Sequence, residues 1–299
     1  MKFRSSLILF GLVVLTLLTM ACGGRSNESL PESRAAQTIE NKGSDTIVNL
    51  ALAWAEAYAE IRPEVRISVT GGGSGTGIAA MINGTVDIAN ASRKMKSEEV
   101  EEARANGIEP VEHVIAGDAI AVVVHPSNLV DGLSIAQLSA IFTGQITNWR
   151  EVGGQDRPIV LLSRESNSGT HVYFLERVVR EGIKGDDRLF SPDTLLMPSS
   201  EGISNEIRQN PNAIGYDGLG YVTHDQKTLC IIDQPGDPCV LPTVETVQDN
   251  SYPIARPLFM YTAGEPTGPI REYLDWILSP EGQALVKELG FVPLGRTSS

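Results

Sequence analysis

Apolar residues recur at two spacings along this chain, and the two spacings take turns. Ile47, Leu50, Ala51, Trp54, Tyr58 and Ile61 fall three or four positions apart, which predicts a helix with one buried face. Pro63 ends it, because proline has no N–H to continue the ladder. On either side, Thr38–Asn41 and Val65–Val69 read as strands, the second with Val65, Ile67 and Val69 alternating against Arg66 and Ser68. A glycine run, Gly71–Gly73, leads to a short helix through Ile78 and Met81. Val86–Ala89 predicts another strand, and Ser97 caps an acidic helix ending near Gly107. Strand and helix in alternation, with short connections, predict an α/β unit.

The second half is sparser in signals. Ala119–Val124 is an unbroken apolar run, the mark of a buried strand. Ser134 and Gln137 form a capping box opening a helix to Phe142. Pro158–Leu162 predicts a strand, and Ser168–Arg180 a helix carrying Val172, Leu175, Val178 and Val179 on one face. Ile254–Tyr261 predicts a strand. Ile270, Leu274, Ile277 and Leu278 mark a helix stopped at Pro280, and a last helix spans Glu281–Leu289. There is no long repeat and no coiled-coil heptad.

The amino terminus carries a different pattern. Lys2 and Arg4 precede an apolar run, Ser5–Thr19, that ends in Leu18-Thr19-Met20-Ala21-Cys22-Gly23. A basic start, a short apolar core and a small residue before the cut describe a secretory signal. The cysteine after Ala21 makes it resemble a bacterial lipoprotein signal over residues 1–21, with Cys22 the acylated first residue of the mature chain. Thr19 departs from that pattern, which has Leu there, and ordinary secretion is the alternative. Residues 22–37 are polar without apolar periodicity and read as a flexible tether.

The formal net charge is −13 and becomes −15 once Lys2 and Arg4 are removed. No basic face for nucleic acid is expected from such a chain. An anion, if one is bound, has to be held by directed donors and not by bulk attraction. Cys230 and Cys239 flank a turn-rich stretch, Asp233–Pro238, and in an oxidising compartment would close a small loop worth about 2–3 kcal/mol. His113, His125, His171 and His224 are scattered with no metal-ligand spacing, so neither metal nor cofactor is expected.

Three Gly/Ser/Thr turns carry the chemistry. They are Gly43-Ser44-Asp45-Thr46, Gly73-Ser74-Gly75-Thr76-Gly77 and Asn167-Ser168-Gly169-Thr170, and each runs into a predicted helix. A helix start presents unpaired N–H donors and the positive end of the backbone dipole. Hydroxyls at Ser44, Thr46, Ser74, Ser168 and Thr170, with the bared N–H of Gly169, make each turn half of an oxyanion socket. Arg164, a few residues ahead of Ser168, offers a bidentate fork. The stretch at 73–77 is neither a P-loop, since Ile78 follows where Lys is needed, nor a dinucleotide fingerprint. Neither Ser74 nor Ser168 sits in a nucleophile elbow.

From Thr38 to Leu294 the chain resembles the PstS-type phosphate-binding proteins of bacterial phosphate ABC importers. The matching motifs are Gly43–Thr46, Gly73–Gly77, Asn83-Gly84-Thr85-Val86-Asp87-Ile88-Ala89, Phe142-Thr143-Gly144 with Asn148-Trp149, and the Arg-x-x-x-Ser-Gly-Thr signature at Arg164, Ser168, Gly169 and Thr170. The resemblance implies a two-lobed periplasmic-binding-protein fold, mixed sheets flanked by helices, with the ligand cleft at the hinge. Its lobes would be 38–123 with 255–299, and 124–254, crossing near Val123–Val124 and Ile254–Arg256. Many members place an Asp, acceptor of the phosphate proton, where this chain has Ser92 followed by Arg93. Hydrogen phosphate can donate a hydrogen bond and sulfate at neutral pH cannot, so a carboxylate would still discriminate. Asp45 and Asp118 are the candidates, and Arg93 either adds charge or braces a loop.

The resemblance thus implies a monomeric extracytoplasmic binding protein, lipid-anchored to the cell membrane. It would capture inorganic phosphate for an ABC permease and carry out no catalysis. Ser92 keeps another oxyanion, molybdate or sulfate, as a variant. A phosphate sensor or surface protein is a further reading. An exported phosphoesterase would need a metal cluster or an activated nucleophile for which the sequence has no pattern.

Overall fold

In a computed structural model, residues 37–295 are described. The expected signal segment, Cys22 and the tether through residue 36 lie outside the described residues. In chain order the elements are β1 (Gln37–Gly43), α1 (Asp45–Ile61), β2 (Val65–Thr70), α2 (Ser74–Ile82), β3 (Ile88–Ala91), α3 (Ser97–Ala105), β4 (Val111–Val124), β5 (Gly132–Ser134), α4 (Ile135–Phe142) and β6 (Val160–Arg164). There follow α5 (Gly169–Phe174), β7 (Leu195–Met197), α6 (Ser200–Gln209), β8 (Ala213–Gly218), β9 (Lys227–Thr228), β10 (Cys230–Ile232), α7 (Val244–Gln248), β11 (Ala255–Thr262), α8 (Gly268–Ile277) and α9 (Pro280–Glu288).

One mixed sheet runs β2-β1-β3-β11-β4-β8-β6-β7, with β9 also on β4. The long strand β4 spans both halves of it. Val111–Ala119 pairs antiparallel with β11, and Ile120–Val124 pairs with β8. The core is divided accordingly. On one side, Leu50, Trp54, Leu258 and Tyr273 pack between the sheet and α1, α8 and α9. Ile78, Met81 and Phe259 fill the opposite face of the same strands. In the other half Val122, Phe142, Phe174, Ile214 and Tyr216 pack together, with Phe174 and Tyr216 stacked at 3.7 Å between centroids. Leu162, Ile203 and Ile207 form a smaller group under α6. The helical face expected from Ile47 to Tyr58 is the buried one, and Trp54 Nε1–H donates to the Gly282 carbonyl at 2.8 Å, tying α1 to α9.

Two expectations about helices need correction. Ser97 is the first residue of α3 and not its cap. The helix start is instead closed by Glu99, whose carboxylate accepts the Lys96 N–H at 2.8 Å. The segment 168–180 is not a uniform helix, because Leu175–Val179 widens into a π turn. Arg180 N–H reaches back to Leu175, and the extra residue in the turn lets adjacent Val178 and Val179 both sit fully buried. Cys230 and Cys239 are joined in a disulfide, with Cα atoms 5.3 Å apart. A Cβ on Gly132 of β5 would stand 2.5 Å from each sulfur, so that strand passes the bridge only as glycine. Among the described residues no helix is long and apolar enough to cross a membrane.

Candidate functional site

Three helix starts from distant parts of the chain meet at one point. Ser44 precedes α1, Ser74 opens α2, and Ser168 caps α5 by accepting the Thr170 N–H at 3.2 Å. Ser92, just past β3, joins them. Ser44 Oγ donates to Ser92 Oγ at 2.9 Å, and Ser92 N–H donates to Ser74 Oγ at 3.0 Å. Thr46 and Thr170, 124 residues apart in sequence, share a hydrogen bond of 2.8 Å. A Cβ on Gly169 would lie 2.4 Å from Ser74 Oγ and 2.6 Å from Ser92 Oγ. Ser44, Thr46, Ser74, Ser92, Ser168, Gly169 and Thr170 are all buried. Hydroxyls in this setting both donate and accept, and they turn to suit what they meet.

The guanidinium touching these hydroxyls is Arg256 of β11. Its Nη2 donates to Thr170 Oγ1 at 2.9 Å and lies 3.4 Å from Thr46 Oγ1, and its Nη1 donates to the Ser92 carbonyl at 2.9 Å. The Nε and Nη2 groups also reach Asp118 Oδ2, at 3.2 and 2.9 Å. Asp118 is the β4 residue directly opposite in the ladder, and its other oxygen accepts the Leu219 N–H at 3.2 Å. Complete burial pushes the Asp118 carboxyl up, and the Arg256 charge draws it back down. Arg256 was not among the residues expected at the site. Its signal was available: an arginine two positions into an otherwise apolar strand needs a buried acceptor.

Arg164 makes a different set of contacts. At the end of β6 it donates to Asp45 Oδ2 at 2.6 Å, to the carbonyls of Met197 and Pro198 at 3.2 and 3.0 Å, and to Ser200 Oγ at 3.1 Å. Those contacts occupy four of the five N–H groups a guanidinium carries. Asp45 also accepts the Gly72 N–H at 2.9 Å. Arg164 and Asp45 therefore join the start of α1 to β6 through an ion pair lying beside the hydroxyl cluster. Arg93 forms a two-pronged pair with Glu99 at 2.8 and 2.6 Å, which braces the loop ahead of α3.

Asp217, at the end of β8, is a further buried acid that the sequence did not single out. Burial raises its carboxyl to about 7, opposed by the nearby Ser200 hydroxyl and Arg164 charge. Its Oδ1 accepts the Gly218 N–H at 2.9 Å. A cleft of about 470 Å³ opens beside the cluster, with Ser92 and Arg256 in its wall. Among the described residues no group of three or more His, Cys, Asp or Glu could hold a metal ion.

The PBP superfamily domain matches residues 29–281. The phosphate-binding protein PstS of Pseudomonas aeruginosa is 31% identical over 95% of this chain and 94% of its own. That of Bacillus subtilis is 32% identical over 98% of this chain and 95% of its own. Among solved structures, a Clostridium perfringens chain assigned as a phosphate ABC transporter substrate-binding protein, with bound phosphate, is 33% identical. It covers 87% of this chain and 100% of its own, with a TM-score of 0.77. An ABC-type phosphate transport receptor from Vibrio cholerae is 27% identical over 86% of this chain and 100% of its own, with a TM-score of 0.68.

Proposed function

The chain belongs to the PBP superfamily and, within it, to the PstS-type phosphate-binding proteins, and from that premise we propose that it captures inorganic phosphate outside the cytoplasm and delivers it to the permease of an ABC importer. One observation carries the reading on physical grounds: three helix starts and a buried guanidinium converge on a knot of hydroxyls. A tetrahedral oxyanion arriving there exchanges hydroxyl–hydroxyl bonds for charge-assisted ones, which are roughly twice as strong as neutral bonds. Donors fixed by helix geometry in a water-poor site need little reorganisation. Such a site works on a chain whose net charge is −13, because it acts at contact distance.

Ser44, Thr46, Ser74, Ser92, Ser168, Gly169 and Thr170 hold the solute, with Arg256 supplying positive charge. Arg164 and Asp45 act beside it by joining the two lobes, whose division falls after Ala119 within β4 and before Ala255. Asp118, whose Oδ1 retains a lone pair beside the Leu219 N–H, accepts the proton of hydrogen phosphate and so repels sulfate. The mature protein is a monomer held at the membrane through acylated Cys22. Isothermal calorimetry with phosphate, sulfate and molybdate tests the reading. Micromolar or tighter binding of phosphate alone is the expected result. Absence of phosphate heat, or preference for sulfate or molybdate, overturns it.

A further inference from the structure

Two of the helix starts at the hydroxyl cluster also fasten to each other, through a residue that lies outside the cluster. Asn167, one position ahead of the Ser168 cap, donates from Nδ2 to the Gly72 carbonyl at 2.9 Å, 95 residues away in sequence, and lies 3.4 Å from Thr76 Oγ1. In return its backbone carbonyl accepts the Gly75 N–H at 3.0 Å. Gly75 stands in the first turn of α2, where N–H groups have no acceptor within the helix. The carbonyl of Asn167 thus supplies, from another segment, the negative end that a helix start favours. The approach is close, since a Cβ on Gly73 would stand 2.9 Å from the Asn167 carbonyl oxygen. Gly73 also has φ +91°, a backbone shape that side chains resist.

We propose that Asn167 is a clasp that sets how long a bound oxyanion is retained, a reading that takes the identity of the solute from the function proposed above. The contact is reciprocal, side chain to backbone in one direction and backbone to backbone in the other, so it forms only when the starts of α2 and α5 are together. Asn167 is itself exposed and makes no bond to the cluster hydroxyls. A solute leaving the cluster has to wait for the clasp to part, whereas a solute arriving meets the two starts already separated. The side chain therefore acts on dissociation and not on association. The chemistry is specific to a neutral amide. A carboxylate at 167 would set negative charge against the Gly72 carbonyl.

Asn167→Ala keeps the backbone carbonyl and removes both side-chain contacts, and Asn167→Asp replaces the donor by a repelling oxygen. Rapid mixing with inorganic phosphate gives both rate constants, and a phosphate chase isolates the second. The dissociation rate rises about 3- to 30-fold for the alanine variant and further for the aspartate, with the association rate within about twofold of the parent. The thermal midpoint of the ligand-free protein is unchanged, and amide exchange over residues 72–76 in the phosphate-bound protein is faster. A dissociation rate within about twofold of the parent overturns the clasp, as does an equal fall in ligand-free stability, which would make Asn167 an ordinary turn residue. If the parent binds no phosphate, the reading of the solute fails separately. The same chase with whichever oxyanion the parent does bind, sulfate or molybdate, then decides: faster dissociation from the alanine variant supports the clasp, and an equal rate overturns it.

Discussion

Replacing Arg256 with methionine tests the site at its centre. The guanidinium and its partner Asp118 have side chains 1% and 0% exposed, so neither is screened by solvent. Methionine removes the two contacts to Asp118 and those to Ser92, Thr170 and Thr46. Breaking a buried pair by deleting one member costs about 3–5 kcal/mol, because the surviving charge is left uncompensated. Proton uptake by Asp118 limits that loss. In a chain of this size each kcal/mol moves the thermal midpoint by roughly 2–4 °C, so a fall of about 6–15 °C is expected. Phosphate affinity suffers separately. Losing a guanidinium that steers two hydroxyls and carries the local positive charge weakens binding by about 3 kcal/mol, roughly 150-fold. Urea denaturation measures the first effect and calorimetry the second. The double variant Arg256→Met/Asp118→Asn separates them, since deleting both charges restores most of the stability and none of the affinity. A folded Arg256→Met protein that binds phosphate within threefold of the parent would refute the assignment, as would recovery of binding in the double variant.

Asp217 predicts a pH dependence of stability. Its carboxyl, raised by burial to about 7 from an ordinary value near 3.8, holds a proton in the folded chain that the unfolded chain has released over the interval between those values. Folding is therefore unpenalised below about pH 4 and loses stability as pH rises toward 7. Asp217→Asn removes that penalty, so its urea midpoint matches the parent at pH 4 and exceeds it at pH 8 by the equivalent of about 2–4 kcal/mol; equal midpoints at both pH values count against a protonated Asp217. Gly169→Ala crowds the site from within. Its Cβ would stand 2.4 and 2.6 Å from Ser74 Oγ and Ser92 Oγ. Phosphate affinity should fall at least about tenfold, and overpacking should lower ligand-free stability by about 1–3 kcal/mol; unchanged affinity would remove Gly169 from the cluster.

The parts of this fold that could be read in advance are those whose signals are local. The apolar face of α1, the alternation of β2 and the Ser134–Gln137 box each sit within a few residues of what they specify. Between Ser191 and Pro253 the Cys230–Cys239 bridge was legible, but no helix or strand was. Strands β7, β9 and β10 have two or three residues, too few to show a period. Helix α6 fills half its buried face with Ser200 and Ser204, which blurs the stripe set by Ile203 and Ile207. The hydroxyl turns were visible because glycine, serine and threonine cluster in sequence. Partnerships were not. Arg164 stood out beside its turn, but its acceptor Asp45 lies 119 residues earlier. Arg256 was legible only as a strand residue at the crossing between lobes, because its acceptor, Asp118, is supplied by another strand 138 residues away.

The place of β11 in the sheet has a consequence for biogenesis. Residues 255–262 lie between β3 and β4, bonded to both, although they emerge from the ribosome well over a hundred residues after either strand. Until then β3 and β4 each carry an open edge, and such edges recruit strands from other chains. A premature stop between residues 125 and 254 would leave both edges bare for good, so truncated products should aggregate or be degraded instead of persisting as half-molecules.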